Sequence, residues 1–276
     1  MANSRSRFSL GFDPNASASR TPGVLGLNDA ASPNACCRGD SPGPLGINDH
    51  ASPEASRTPG SESLPEKAKR ISILTPSMGA DVKLTAEDYQ RAAAALGGDV
   101  SVAIIKAFAE VESGGKSGFG DNRLPVIAFE GHIFRRYTHK KYDYSHPLLS
   151  YRYIRKAGPE WQQNNRSHAA AWKTLDDAMK LDLAAALQAS SWGMFQVMGF
   201  NFAACGYKTV ESFVEAMKLG ESGQLDAFVG YCKRKTGLIQ AMREKSFQTM
   251  ARLYNGEDYG NYDVLIAKKY NKYIGT

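Results

Sequence analysis

The chain has 276 residues, 42% of them hydrophobic, with a net charge of +6 and a pI near 9.0. That length can bury one substantial core with a smaller appendage. It holds no run of about 18 apolar residues that would cross a membrane. The positive balance favours an anionic partner, but no nucleic-acid motif or dense Lys/Arg stripe accompanies it, so nucleic acid is not expected.

Residues 1–70 are rich in Pro, Gly, Ser, Asn and Asp and contain a repeat. Thr21 to Pro33 returns as Ser41 to Pro53, and a third copy starts at Thr58. Such composition buries too little apolar surface to offset ordering entropy, so the segment reads as extended or disordered. Leu25/Leu27 and Leu45/Ile47 nevertheless recur in phase, each pair followed by Asn-Asp, which suggests docking to a partner through residues 20–60 as readily as a plain linker. The opening residues lack the apolar stretch of a secretory signal. The expectation is a protein made in the cytoplasm and carried outward by other means.

A globular domain is expected over 71–276. Thr85-Ala-Glu-Asp88 resembles a capping box opening a helix that ends at Gly97-Gly98. The next helix carries Val100, Ala103, Ile104, Ala107, Phe108 and Val111 at helical spacing, with Asp99 as N-cap and Gly114-Gly115 as stop. Glu112 sits in its last turn, beside the apolar stripe and near the negative end of the helix dipole. Both raise a carboxyl's pKa, as a general acid requires. Glu110 reads as a solvated residue on the opposite side.

Val126–Glu130 and Ile133–Phe134 suggest a small hairpin. Residues 137–172 are aromatic and basic with poor helical phasing. Thr174-Leu-Asp-Asp177 reads as the cap of a helix to about Ala189, with further helices near 209–219, 223–235, 238–244, 246–255 and 262–272. Of the four cysteines, Cys36 and Cys37 fall in the repeat segment. Cys205 and Cys232 lie in apolar context, as thiols or as a bridge. No metal-ligand spacing appears, and no cofactor or metal is expected.

Four motifs follow in order: Glu112-Ser-Gly-Gly; Phe129-Glu-Gly-His132; Ala189-Ser-Ser-Trp-Gly-Met-Phe-Gln-Val-Met-Gly199 with Asn201; and Ala251-Arg-Leu-Tyr-Asn-Gly256 with Tyr262-Asp263. Together they resemble the lysozyme-like superfamily, and the longer strings resemble the N-acetylmuramidase domain of phage endolysins and related bacterial toxins. The resemblance covers about residues 83–273. It implies a mainly α, lysozyme-like helical domain with a small β-hairpin, and cleavage of the β-1,4 bond between N-acetylmuramic acid and N-acetylglucosamine. It makes Glu112 the catalytic acid. Gly131 departs from the Arg that commonly follows the second motif's Glu.

The residue types suit that chemistry. Glycoside hydrolysis needs a protonated carboxyl and usually a second carboxylate, for which Glu130 is the first choice and Asp121 stands behind it. His132 reads as a hydrogen-bonded structural residue. Ser191, Trp192, Gln196, Tyr254 and Asn255 are the expected substrate-binding residues. The amides of Gln196 and Asn255 suit N-acetyl groups and hydroxyls, and Tyr254 suits stacking on a sugar ring. Trp192, Met194 and Phe195 also read as core, Met194 foremost.

The leading function is therefore a peptidoglycan hydrolase acting in the periplasm or cell wall of a target cell, either a toxin delivered by a secretion system or a phage endolysin. A lytic transglycosylase of the same fold is the alternative, and an inactive wall-binding module a further one. Expected partners are peptidoglycan strands, an immunity protein if the enzyme is a toxin, and a secretion-machine component on residues 20–60.

Overall fold

The computed structural model describes residues 63–154, 157–257 and 259–275. The repeats, the Cys36-Cys37 pair and the aliphatic pairs from Leu25 to Ile47 lie outside the described residues. Helix α1 (Leu64–Leu74) opens with a complete capping box between Ser63 and Glu66. The expected boundary at Ile71 falls inside this helix. Arg70 reaches Asp176 at 2.5 Å, and Lys218 Nζ donates to the carbonyls of Ser72 and Ile73 at 2.5 and 3.0 Å.

Helix α2 (Ala86–Ala95) carries the Thr85–Asp88 box seen in the sequence. Helix α3 (Val102–Ser113) buries Ala103, Ile104, Ala107 and Phe108, and ends at Gly114 in the left-handed region (φ 62°), where glycine is unstrained. Its N-cap is Ser101 rather than Asp99. The Ser101 side chain accepts from the Ala103 N–H at 3.1 Å, while Asp99 lies outside the helix and binds Arg243 at 2.8 Å.

The β element is larger than a local hairpin and built from distant pieces. Strand β1 (Ile127–Phe129) pairs antiparallel with β2 (Ser190–Trp192), which pairs antiparallel with β3 (Val197–Met198). Ile127 stands opposite Trp192, and Ser191 opposite Met198. Ile133 and Phe134 belong instead to helix α4 (Gly131–Tyr137).

After α5 (Pro159–Asn164), helix α6 (His168–Met179) starts at Ser167, whose hydroxyl accepts from Ala170 N–H at 3.1 Å. Thr174 is thus a mid-helix residue, and Ala171, Trp172, Leu175, Ala178 and Met179 form the buried face. A break then precedes α7 (Leu183–Gln188), capped by Asp182. Helices α8 (Val210–Lys218), α9 (Glu221–Arg234), α10 (Leu238–Glu244), α11 (Phe247–Asn255) and α12 (Tyr262–Tyr273) complete a mainly α fold.

The core runs from α3 through Phe195, Phe213, Phe228 and Tyr254 to Ile266. Helix α12 lies along α3 in the most extensive helix pair of the fold. Part of the reason is Glu110, which is not a solvated residue. It accepts from Lys269 at 2.6 Å, Lys272 at 2.9 Å and Tyr273 at 2.5 Å. Burial pushes its carboxyl up, but the hydrogen bonds from Lys269, Tyr273 and Lys272 outweigh that and hold it near 2. Cys205 and Cys232 are buried free thiols. No helix among the described residues is long and apolar enough to cross a membrane.

Candidate active site

Because Gly114 stops α3 one residue past Ser113, Glu112 is held in the final turn with its side chain turned into the protein, 7% exposed. Phe108 lies one turn earlier, and its ring meets Tyr254 at 4.8 Å and Tyr262 at 6.3 Å. Tyr254 and Tyr262 stack on each other at 6.2 Å. The Tyr262 hydroxyl donates to Glu112 Oε1, and the side-chain amide of Asn255 lies close to that same hydroxyl.

Burial in this aromatic surround pushes the Glu112 carboxyl up to about 8, and the Tyr262 hydrogen bond pulls the other way. Burial also raises both phenols well above their ordinary range, so Tyr262 keeps its proton and remains a donor. Two polar atoms bordering this cluster, Glu112 Oε2 and Asn255 Oδ1, are buried without a partner. An unpaired buried polar atom costs about 1–3 kcal/mol. Both belong to residues grouped around the Tyr262 phenol.

The third motif forms the turn between β2 and β3. Gly193 (φ 69°) and Gln196 (φ 48°) both take the left-handed conformation. The turn is closed by its own side chains: Gln196 Nε2 donates to Gly193 O at 2.8 Å, and Ser191 Oγ donates to Gln196 Oε1 at 2.8 Å. Trp192 is fully buried, donating to Leu187 O at 3.1 Å and meeting Trp172 edge-on. Tyr254 is fully buried too, with its hydroxyl on Phe195 O at 3.0 Å. In place of the expected open face for a sugar, Tyr254 presents its ring to Phe108, Phe228 and Tyr262 and ties the turn to the Glu112 wall.

Helix α9 supplies two further buried polar residues that no sequence motif marks. Glu221 accepts from Ser117 Oγ at 2.8 Å, from the Gly118 and Leu84 N–H groups at 3.2 Å, and from Lys83 at 3.2 Å. Gln224 accepts from Met194 N–H at 2.6 Å and donates to Gly118 O at 3.3 Å and Met217 O at 3.1 Å. A Cβ on Gly118 would sit 1.9 Å from Gln224 Oε1, which explains the glycine. Both fall on the stripe of Leu225, Phe228 and Cys232, and a carboxylate and an amide on an apolar stripe are the signal that marks them.

Glu130 has partners of its own. Its Oε1 accepts from Trp161 Nε1 at 2.8 Å, and its Oε2 lies 3.4 Å from His132 Nδ1. Burial pushes Glu130 up to about 8 and His132 down to about 4. At neutral pH the contact therefore joins two neutral groups and is not an ion pair. The Glu112 carboxyl is set by burial and by the Tyr262 hydrogen bond. These partners suit a residue anchoring the start of α4 to α5 better than one stabilising charge beside Glu112. Asp121 is exposed on the Gly120–Leu124 turn. The structure thus brings Glu112, Tyr254 and Asn255 together, reaches Ser191, Trp192 and Gln196 through Tyr254 and Phe195, gives Glu130 the partners Trp161 and His132, and leaves Asp121 exposed.

Comparison with known proteins bears on this arrangement. A family model described as Muramidase: N-acetylmuramidase matches residues 101–274, the span from the cap of α3 to the end of α12. Among solved structures, a Burkholderia AP3 phage endolysin is similar at 32% identity with a TM-score of 0.62, over 76% of this chain and 86% of that one. No curated protein matches.

Proposed function

The chain belongs to the N-acetylmuramidase family, a peptidoglycan-hydrolase family, and from that footing we propose that it cleaves the glycan β-1,4 bond with Glu112 as the acid. The observation that carries this reading is the burial of the Glu112 carboxyl at the end of α3, which pushes it up to about 8, with Oε1 occupied by Tyr262 and Oε2 unpartnered. The proton then resides on Oε2. It passes to the glycosidic oxygen as the bond from that oxygen to C1 breaks, leaving positive charge at C1 and a carboxylate at Glu112. The carboxylate next takes a proton from the water that bonds to C1, and the acid is restored. Asn255 Oδ1 is placed to accept from that water or from a sugar N–H.

Because one carboxylate serves both halves of this cycle, the same site also suits the transglycosylase route, in which the sugar's own 6-hydroxyl replaces water. Mass spectrometry of the released fragments tests the reading. Free reducing ends are expected, and exclusively 1,6-anhydro ends would assign the other route. The similarity to a phage endolysin supports an endolysin-type wall hydrolase. Delivery as an antibacterial toxin is the second reading, favoured by the phased aliphatic pairs Leu25/Leu27 and Leu45/Ile47.

A further inference from the structure

Helix α11 does more than deliver Tyr254 and Asn255 to the Glu112 cluster. Gln248, Arg252 and Asn255 follow at intervals of four and three, so they form one stripe along the helix. The far part of that stripe lines an open groove with Thr249, and Glu257, Tyr259 and Gly260 of the α11–α12 connection form its other wall. The near end of the stripe is Asn255, whose Oδ1 is unpartnered and whose amide lies close to Tyr262, the residue that holds the acid. The groove and the Glu112 cluster thus share helix α11, with Arg252 one turn before Asn255.

Its chemistry is polar and centred on one cation. Arg252 is exposed, and among the described residues its ionic contact is Glu257 at 3.7 Å, too long for a hydrogen bond. Glu257 is 71% exposed and free to swing away. A guanidinium presents a planar fork of donors that suits a carboxylate in two-point contact. Gln248, Thr249 and Tyr259 add neutral donors and acceptors around it.

We propose that this groove is a subsite for a carboxylate attached to the glycan, with Arg252 as its ligand and Glu257 as the group it displaces. The inference rests on the glycosidase reading above. Two sources carry that chemistry in peptidoglycan: the peptide stem, and the lactyl group of muramic acid once a stem has been removed. Either would let the enzyme register which sugar lies next to the acid, since N-acetylglucosamine bears no carboxylate.

The test uses the full chain carrying Glu112→Gln, with binding followed by calorimetry. Three soluble glycan tetramers serve as probes: one with stems, one stripped by an amidase so that the lactyl carboxylate is free, and one stripped and converted to the lactyl methylamide. The methylamide is expected to bind about tenfold more weakly than a carboxylate-bearing form. Adding Arg252→Gln should erase that gap, and adding Glu257→Gln should tighten the carboxylate-bearing forms several-fold. Tight binding of the stemmed form alone assigns the stem, and tight binding of the stripped form assigns the lactyl group. Equal binding of all three, a gap that survives Arg252→Gln, or weakening by Glu257→Gln would overturn the subsite. Failure of the glycosidase reading looks different, because Glu112→Gln would then still release reducing ends.

Discussion

The Tyr262 hydroxyl donates to Oε1 of Glu112 across 150 residues of sequence, joining the start of α12 to the end of α3. The contact fixes which carboxyl oxygen is free. It also opposes the effect of burial on the acid. Tyr262→Phe keeps the ring that stacks on Tyr254 and removes the hydroxyl alone. Turnover should fall roughly tenfold, and the alkaline limb of the pH–rate profile should move upward because the lowering influence on Glu112 is gone. An unmoved limb would reduce Tyr262 to packing.

Glu112→Gln preserves shape and removes the transferable proton. Hydrolysis of purified wall should drop by about 10²–10⁴-fold with the melting temperature intact. Activity within tenfold of the parent would sink the assignment of the acid.

Stability should decline as the pH rises from about 6.5 to 8. Glu112 and Glu130 are each pushed to about 8 from an ordinary value of 4.5, so over this range the folded state holds protons that the unfolded state has released. Unfolding is then favoured by raising the pH. His132, lowered to about 4 from 6.5, acts in the opposite sense, but only below 6.5. Thermal melts across the range check this, and Glu112→Gln or Glu130→Gln should each flatten the slope. A melting temperature that rises toward pH 8 would contradict it.

Glu130→Gln also separates anchoring from chemistry. The amide oxygen still accepts from Trp161, so activity should stay within tenfold of the parent. A loss beyond a hundredfold would restore Glu130 as a second catalytic carboxylate.

Removing residues 1–62 should leave wall hydrolysis and melting temperature unchanged. Removing residues 1–70 cuts α1 and deletes the Arg70–Asp176 and Lys69–Glu211 pairs, and the melting temperature should fall by about 2–4 °C. Changing Leu25, Leu27, Leu45 and Ile47 to Ser should spare hydrolysis of purified wall while lowering lysis or killing in the native setting. Full delivery would leave that segment a linker.

Local signals carried much of this molecule into its sequence. The Thr85–Asp88 box, the Gly114 stop and the terminal helices each depend on residues a few positions apart, and they stand close to where periodicity places them. Glu112 was legible for the same reason, since a helix end and an apolar stripe suffice to lift a carboxyl. What escaped was pairing at long range. Nothing near Ile127 announces Trp192 as its strand partner, and nothing near Glu110 announces Lys269, Lys272 and Tyr273. The cap at Ser167 is masked in the sequence by the aromatic, basic stretch around the start of α6. Tyr254 shows the converse error: a motif can locate a residue near the site without saying which way its ring faces.

The clasp of α12 on α3 has a consequence for a cell that makes this enzyme. Tyr262 grips Glu112 near one end of the helix, while Lys269, Lys272 and Tyr273 grip Glu110 toward the other. A polypeptide that stops short of Tyr262, whether still being translated or clipped by a protease, lacks the phenol on Oε1, and Glu112 is then expected to face water. There it is an ordinary carboxylate, ionised at neutral pH and without a proton to give. On the reading of Glu112 as the acid, incomplete molecules are expected to be inactive on the wall, with activity arriving only on the docking of the last helix.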